Sequence, residues 1–268
     1  MGNEQQGREA AERLRREQGI GDLPIIDLIS FVEDAAGCDV AFVAASDGEH
    51  GLTMRDPVRG ATFICVAATA HPMRQRSSLA HELAHVVFDD FQRAPCVGRP
   101  PTEIRADAFA RHLLVPYDGL PSFVKGIKGS ALDILSAVVQ HYLVSPSLAS
   151  IALRDVHAIT EEEKRFLARV TTKQLAIRFG WDSQYHALQV QSRQKRAPQR
   201  LLSRAVKGYS YDVVSAQTIA ALKEEPVESV ESSLKEAGIE PAEDDQTYDN
   251  ILELPFPLAG NIDPPEKA

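Results

Sequence analysis

The sequence predicts an α+β fold with a small sheet and many helices, and three observations predict it. Two short apolar runs rich in β-branched residues, Asp39 to Ala45 and Ala61 to Ala67, lie close together. Most other apolar stretches repeat at helical spacing between recognisable start and stop signals. The composition, 44% apolar and 25% charged over 268 residues, suits one sizeable core plus a smaller appendage.

Taken in order, residues 1–7 read as a frayed lead into a helix from Arg8 to Gln18 that Gly19 stops. Pro24 is expected to open a second helix with Ile25, Leu28, Ile29 and Val32 as its apolar stripe. The first strand follows, then a turn over Ser46 to Gly51, then the second strand. Ser77 or Ser78 can cap a helix running to Phe88. A loop from Pro95 to Thr102 precedes a helix from Glu103 to Leu114, which Pro116 ends. Beyond it lie a helix from Ala131 to Tyr142, an N-cap and first-turn proline at Ser145-Pro146, and a capping box from Thr160 to Glu163. Ser215 to Leu222 and Val227 to Ala237 read as a small helical pair.

Composition excludes several classes. A net charge of −9 argues against direct nucleic-acid binding, which draws on a basic surface. The first twenty residues alternate charges and offer no signal-peptide core, and no apolar run approaches the roughly 18 residues of a membrane span. Three scattered cysteines, Cys38, Cys65 and Cys96, suit a reducing compartment, so a cytoplasmic location is expected. Six cations between Arg193 and Lys207, around Pro198, mark a junction and read as a solvated face or a partner for the acidic tail. Residues 241–268 carry five prolines and seven acids against one lysine and read as disordered. The apolar island Ile251 to Leu258 within them is expected to dock, either as a tethered inhibitor or as a structural arm.

The chemistry concentrates at His81-Glu82-Leu83-Ala84-His85. Histidines at i and i+4 present both rings on one helix face, which suits two of the four positions around zinc. The glutamate beside the first histidine can reach a zinc-activated water and act as its base, so Glu82 is the catalytic candidate. The bland alternative is a helix with two surface histidines. A third ligand is sought in Glu103, eighteen positions after His85, with Asp107 one turn later at the edge of the same apolar face. Carboxylates there are costly unless paired or metal-bound, so Glu103 is assigned to the metal and Asp107 to the free ring N–H of a ligand histidine, His81 first. An acidic first turn favoured by the helix dipole is the competing reading of Glu103. Arg105, Arg111 and His112 are expected to point away. Cys96 could add a fourth ligand, and His71, Tyr117, Tyr142 or Arg154 could stabilise an oxyanion.

The run Arg74 to His85, followed by Glu103-x-x-Ala106-Asp107-x-Phe109-Ala110-x-x-Leu113-Leu114-x-Pro116, resembles the ImmA/IrrE-type zinc metallopeptidases. The likeness covers roughly residues 8–160 and includes Tyr142-Leu143-Val144-Ser145. Ala84 stands where that family often has glycine, which removes no chemical group. The resemblance implies a zincin-like metallopeptidase domain over 8–160, and we divide the remainder into a helical module, 161–240, and the tail. It implies Zn2+, with Mn2+ as an alternative, held by His81, His85 and Glu103, with Glu82 as base. It also implies cleavage of a helix-turn-helix transcriptional repressor that controls a stress-response or mobile-element programme. No DNA-binding segment of the kind many relatives carry is seen. As in the zincins it resembles, the strand Ala61 to Ala67 is expected to be an edge that pairs with substrate. The rival expectation is a zincin scaffold that sequesters a repressor without cutting it.

Overall fold

The computed structural model describes residues 2–44, 51–91 and 99–241. Cys96, the turn residues 46–50 and the tail from 242 onward, with its apolar island, lie outside the described residues. The chain is α+β. In order it forms α1 (Asn3–Glu17), α2 (Leu28–Ala36), β1 (Asp39–Val43), β2 (Gly51–Arg55), β3 (Thr62–Ala67), α3 (Pro72–Val87), α4 (Pro101–Leu114), α5 (Leu120–Lys125) and α6 (Ala131–Tyr142). There follow α7 (Pro146–Asp155), α8 (Glu161–Leu167), α9 (Thr172–Arg178), α10 (Asp182–Ser192), α11 (Gln199–Ser210), α12 (Ala216–Lys223) and α13 (Val227–Glu236).

Several boundaries follow their signals closely. Ser145 accepts from the Leu148 amide with Pro146 in the first turn of α7, and Thr160 and Glu163 form the capping box of α8. Others differ. The first helix begins at Asn3, and the second begins at Leu28 because Asp27 caps it through Ser30. α3 begins at Pro72, a proline at N1, so that Ser77 lies inside the helix and returns its hydroxyl to the Met73 carbonyl at 3.0 Å. A serine is a start signal only where the backbone leaves orphan N–H groups, and here the proline precedes it.

The sheet has the order β1-β3-β2, with β1 parallel and β2 antiparallel to β3. The expectation of an edge strand at 61–67 is therefore overturned: β3 is central and paired on both sides. Short β2, absent from the sequence reading, takes one of its edges. Alternate residues of β3 (Thr62, Ile64, Val66) are buried, and Ile64 pairs with Thr53 of β2.

Two compact units are present, residues 1–55 with 62–198, and residues 56–61 with those from 199. In the first, one apolar core runs from Ala10 through Leu83 and Phe109 to Leu175 and Tyr185, so α8 to α10 share it. Its buried cations do structural work. Arg15 donates to the carbonyls of Gly21, Leu23 and Leu113, tying α1 to the end of α4. Arg76 does the same for α3 through the carbonyls of Ile25, Ile26 and Leu143, and burial lowers its pKa to about 10, leaving it charged at neutral pH. The contact of α1 with α4 is close enough that a Cβ on Gly7 would meet the Ala108 Cβ at 2.8 Å. Arg196, expected on a solvated face, instead grips Glu33 with both guanidinium nitrogens at 2.8 and 2.9 Å and exchanges backbone hydrogen bonds with Phe42.

The second unit packs α11, α12 and α13 around Ala205, Ile219, Ala220, Val230 and Leu234. Glu228, Glu231 and Glu236 stand exposed on α13. No single helix among the described residues is long and apolar enough to cross a membrane.

Candidate metal centre

α3 and α4 pack side by side in opposite directions: His81 meets Asp107, and one turn further along α3 His85 meets Glu103, one turn back along α4. The i, i+4 spacing on each helix makes this possible, since each pair then shares a face. His81 Nδ1 lies 2.8 Å from Asp107 Oδ1, and its Nε2 lies 3.1 Å from Glu103 Oε2 and 3.3 Å from His85 Nε2. His85 Nε2 is 3.6 Å from Glu103 Oε1. One donor atom from each of His81, His85 and Glu103 lies within 4.8 Å of the other two.

The donor set fits a cation. A carboxylate faces each ring nitrogen of His81; with the proton on Nδ1, donated to the closer Asp107, the Nε2 lone pair faces a second ring nitrogen and a carboxylate. Such lone pairs repel one another unless a positive ion lies among them. Two imidazoles and a carboxylate with the fourth direction open is the ligand set of a catalytic zinc site.

Glu82 belongs to this site but lies apart from the donors. It is buried, at 4% exposure, and the Thr53 hydroxyl sits 2.7 Å from its Oε2 and 3.1 Å from its own carbonyl. Gly51 opens β2 directly over it: a Cβ there would lie 2.7 Å from both Cγ and Oε1 of Glu82. Sequence reasoning missed both residues. The available signal was a glycine at a strand end, which marks a close approach. It also missed Asp90, whose amide donates to the His85 carbonyl at 2.8 Å and whose carboxylate lies 4.0 Å from His85 Nδ1. Arg105 holds that carboxylate at 2.6 and 2.9 Å and covers the Phe88 ring, so it is turned inward rather than away. Arg99 pairs with Asp107 from outside.

A cleft of about 680 Å³ opens along the two helices, lined by Gly51, His81, Glu82, Glu103 and Asp107, by Arg74 and Arg111, and by the first turn of α7. None of His71, Tyr117, Tyr142 and Arg154 is among its lining residues. Tyr117 donates to Asp155 at 3.0 Å, and Arg154 pairs with the same carboxylate at 2.9 Å.

Residues 35–154 match the model of the IrrE N-terminal-like domain, peptidase family M78. That segment is similar to an ImmA/IrrE-type metallopeptidase domain. No curated protein matches the chain at significant similarity. The IrrE-like segment contains the whole sheet, α3, α4 and all five expected site residues, whereas α1, which packs on α4, lies outside it.

His112 corrects the expectation that it points away from the buried face of α4. It is buried and its ring lies 4.0 Å from that of Tyr117, and burial, reinforced by Arg111 and Arg8, lowers its pKa to about 3. A histidine held neutral in the fold stabilises it above its unfolded pKa, near 6.5, and that stability is lost as pH falls from 6.5 toward 3. The slope is at most about 1.4 kcal/mol per pH unit for one proton. In metal-free protein, His112→Phe keeps a ring against Tyr117 and is expected to flatten the fall in unfolding free energy between pH 6.5 and 4. An unchanged slope by chemical denaturation would mean that His112 protonates in the folded state.

Proposed function

We propose that the chain is a zinc-dependent endopeptidase, able to use manganese, in which His81, His85 and Glu103 hold the ion and Glu82 is the general base. The convergence of three donor atoms beside a separately anchored carboxylate carries this reading. A bound divalent ion supplies Lewis-acid activation of water and of a peptide carbonyl. Glu82 receives the proton of the attacking water and passes it to the leaving amine. Thr53 occupies one carboxylate oxygen and leaves the other for that transfer. Asp107 keeps the proton of His81 on Nδ1, and with it the ring's orientation.

The protein substrate we propose is a helix-turn-helix transcriptional repressor, cut in a locally extended segment, whose loss releases a stress-response or mobile-element programme. The likeness to the ImmA/IrrE type supports this choice, and the cleft has room for a few extended residues. A cytoplasmic setting goes with it, since such a repressor works there. Direct DNA contact by α13 is disfavoured by its exposed carboxylates. The test is to incubate the protein with helix-turn-helix regulators encoded beside its own gene, with zinc or manganese. A single defined cut is expected. Stable co-elution without cleavage under either metal would establish the sequestering rival instead.

Gly51→Ala tests the anchoring of the base. The added methyl meets the Glu82 side chain rather than backbone, so the carboxylate is displaced while the fold is expected to survive. Hydrolysis is expected to fall by about tenfold or more, with metal content and melting temperature near wild type. Equal activity would mean that the position of Glu82 is not set from β2.

A further inference from the structure

We propose that the end of the cleft remote from the metal centre reads an acidic side chain of the peptide substrate, two or three residues from the bond that is cut, through Arg111 and Arg74. This rests on the peptidase reading above and specifies its substrate class.

The cleft is electrically polarised along its length. Glu82, Glu103 and Asp107 lie at the metal end, while the other cleft-lining charges are the guanidinium groups of Arg74 and Arg111. Their distance from the ion follows from helix geometry. Arg74 precedes His81 by seven residues on α3 and Arg111 follows Glu103 by eight on α4, so each lies about 10–12 Å away along its own axis. Because the helices are antiparallel, both displacements run the same way. An extended chain covers that distance in about three residues. Substrate bound at the metal therefore brings its second or third neighbour to the two arginines.

Arg111 suits such a role. Its side chain is only 14% exposed, where charge attraction is stronger than at an open surface. Glu4 pairs with one of its terminal nitrogens, and Tyr117 contacts it. A guanidinium has five donors, so these two partners leave others for a second carboxylate. Arg74, which is exposed, lines the same cleft and adds a second guanidinium. The first turn of α7, capped by Ser145, also lines the cleft and adds a partial positive charge to it. A lysine or arginine of the substrate meets repulsion here, and an aspartate or glutamate meets charge-assisted hydrogen bonds.

The test uses the zinc-loaded full chain and short peptide hydroxamates, which anchor on the metal, carrying the hydroxamate at either end. Glutamate, glutamine or lysine is placed two or three residues from it. Wild type is expected to bind the glutamate peptide about tenfold or more tighter than the glutamine peptide, with lysine weakest, in one of the two chain directions. Arg111→Gln and Arg74→Gln should each shrink that preference. Arg111→Gln also loses the pair with Glu4, so Arg74→Gln, at an exposed position, guards against a folding effect. Equal binding of glutamate and glutamine peptides, or a preference untouched by both variants, overturns the proposal while leaving the metal site intact. If no hydroxamate binds the zinc-loaded protein, the peptidase reading fails first and this proposal falls with it.

Discussion

Glu82→Gln is expected to abolish cleavage while leaving about one metal ion per chain. The two side chains have nearly the same shape, and the Thr53 hydroxyl can donate to an amide oxygen as it does to Oε2. Only proton acceptance is removed. Loss of a positioned general base lowers rates by about 10²–10⁴-fold, and more where no other group can substitute. Among the described residues, no other carboxylate outside the proposed ligand set lines the cleft except Asp107, which is engaged by His81 and Arg99. Metal content by elemental analysis, measured beside cleavage of a defined substrate, separates the outcomes. A variant that loses its metal would make Glu82 a ligand, and one that still cuts would move the base elsewhere.

Glu103→Ala is expected to remove metal binding at neutral pH, whereas Asp107→Ala should weaken it by about 10–100-fold. The difference follows from what each carboxylate touches. Glu103 faces the Nε2 atoms of both histidines at 3.1 and 3.6 Å, on the side where their lone pairs meet. Asp107 reaches only Nδ1 of His81, on the far side of the ring. Removing Glu103 takes away a ligand, and removing Asp107 frees a ring to rotate and change tautomer. Competition with a chromogenic zinc chelator measures both. Wild-type affinity in Glu103→Ala would pass the third position to Asp107.

The helix-borne part of the site was legible in the sequence because helical spacing is local: i and i+4 share a face whatever surrounds them. His81 with His85, and Glu103 with Asp107, could each be placed on one face from spacing alone. Their meeting rested on an argument about the cost of lone carboxylates, and the antiparallel packing of α3 on α4 brings all four together. His112 and Arg105 were misread for the complementary reason. A helical wheel gives one buried face, but α4 is packed by α1 as well as α3, so its second side is covered too.

What the sequence by itself determined is therefore the short-range order: the α+β class, the caps at Ser145 and Thr160, and the paired i, i+4 residues of α3 and α4. Tertiary structure alone decided which strand is central, that Gly51 and Thr53 hold Glu82, and that Asp90 and Arg105 stand behind His85. Each of the latter joins residues fifteen or more positions apart in at least one contact, such as Thr53 to Glu82 across 29. Local propensities carry no information about such pairs. Strand order in particular is a competition among pairings of similar local preference, decided by how the helices cover the sheet rather than by the strands themselves.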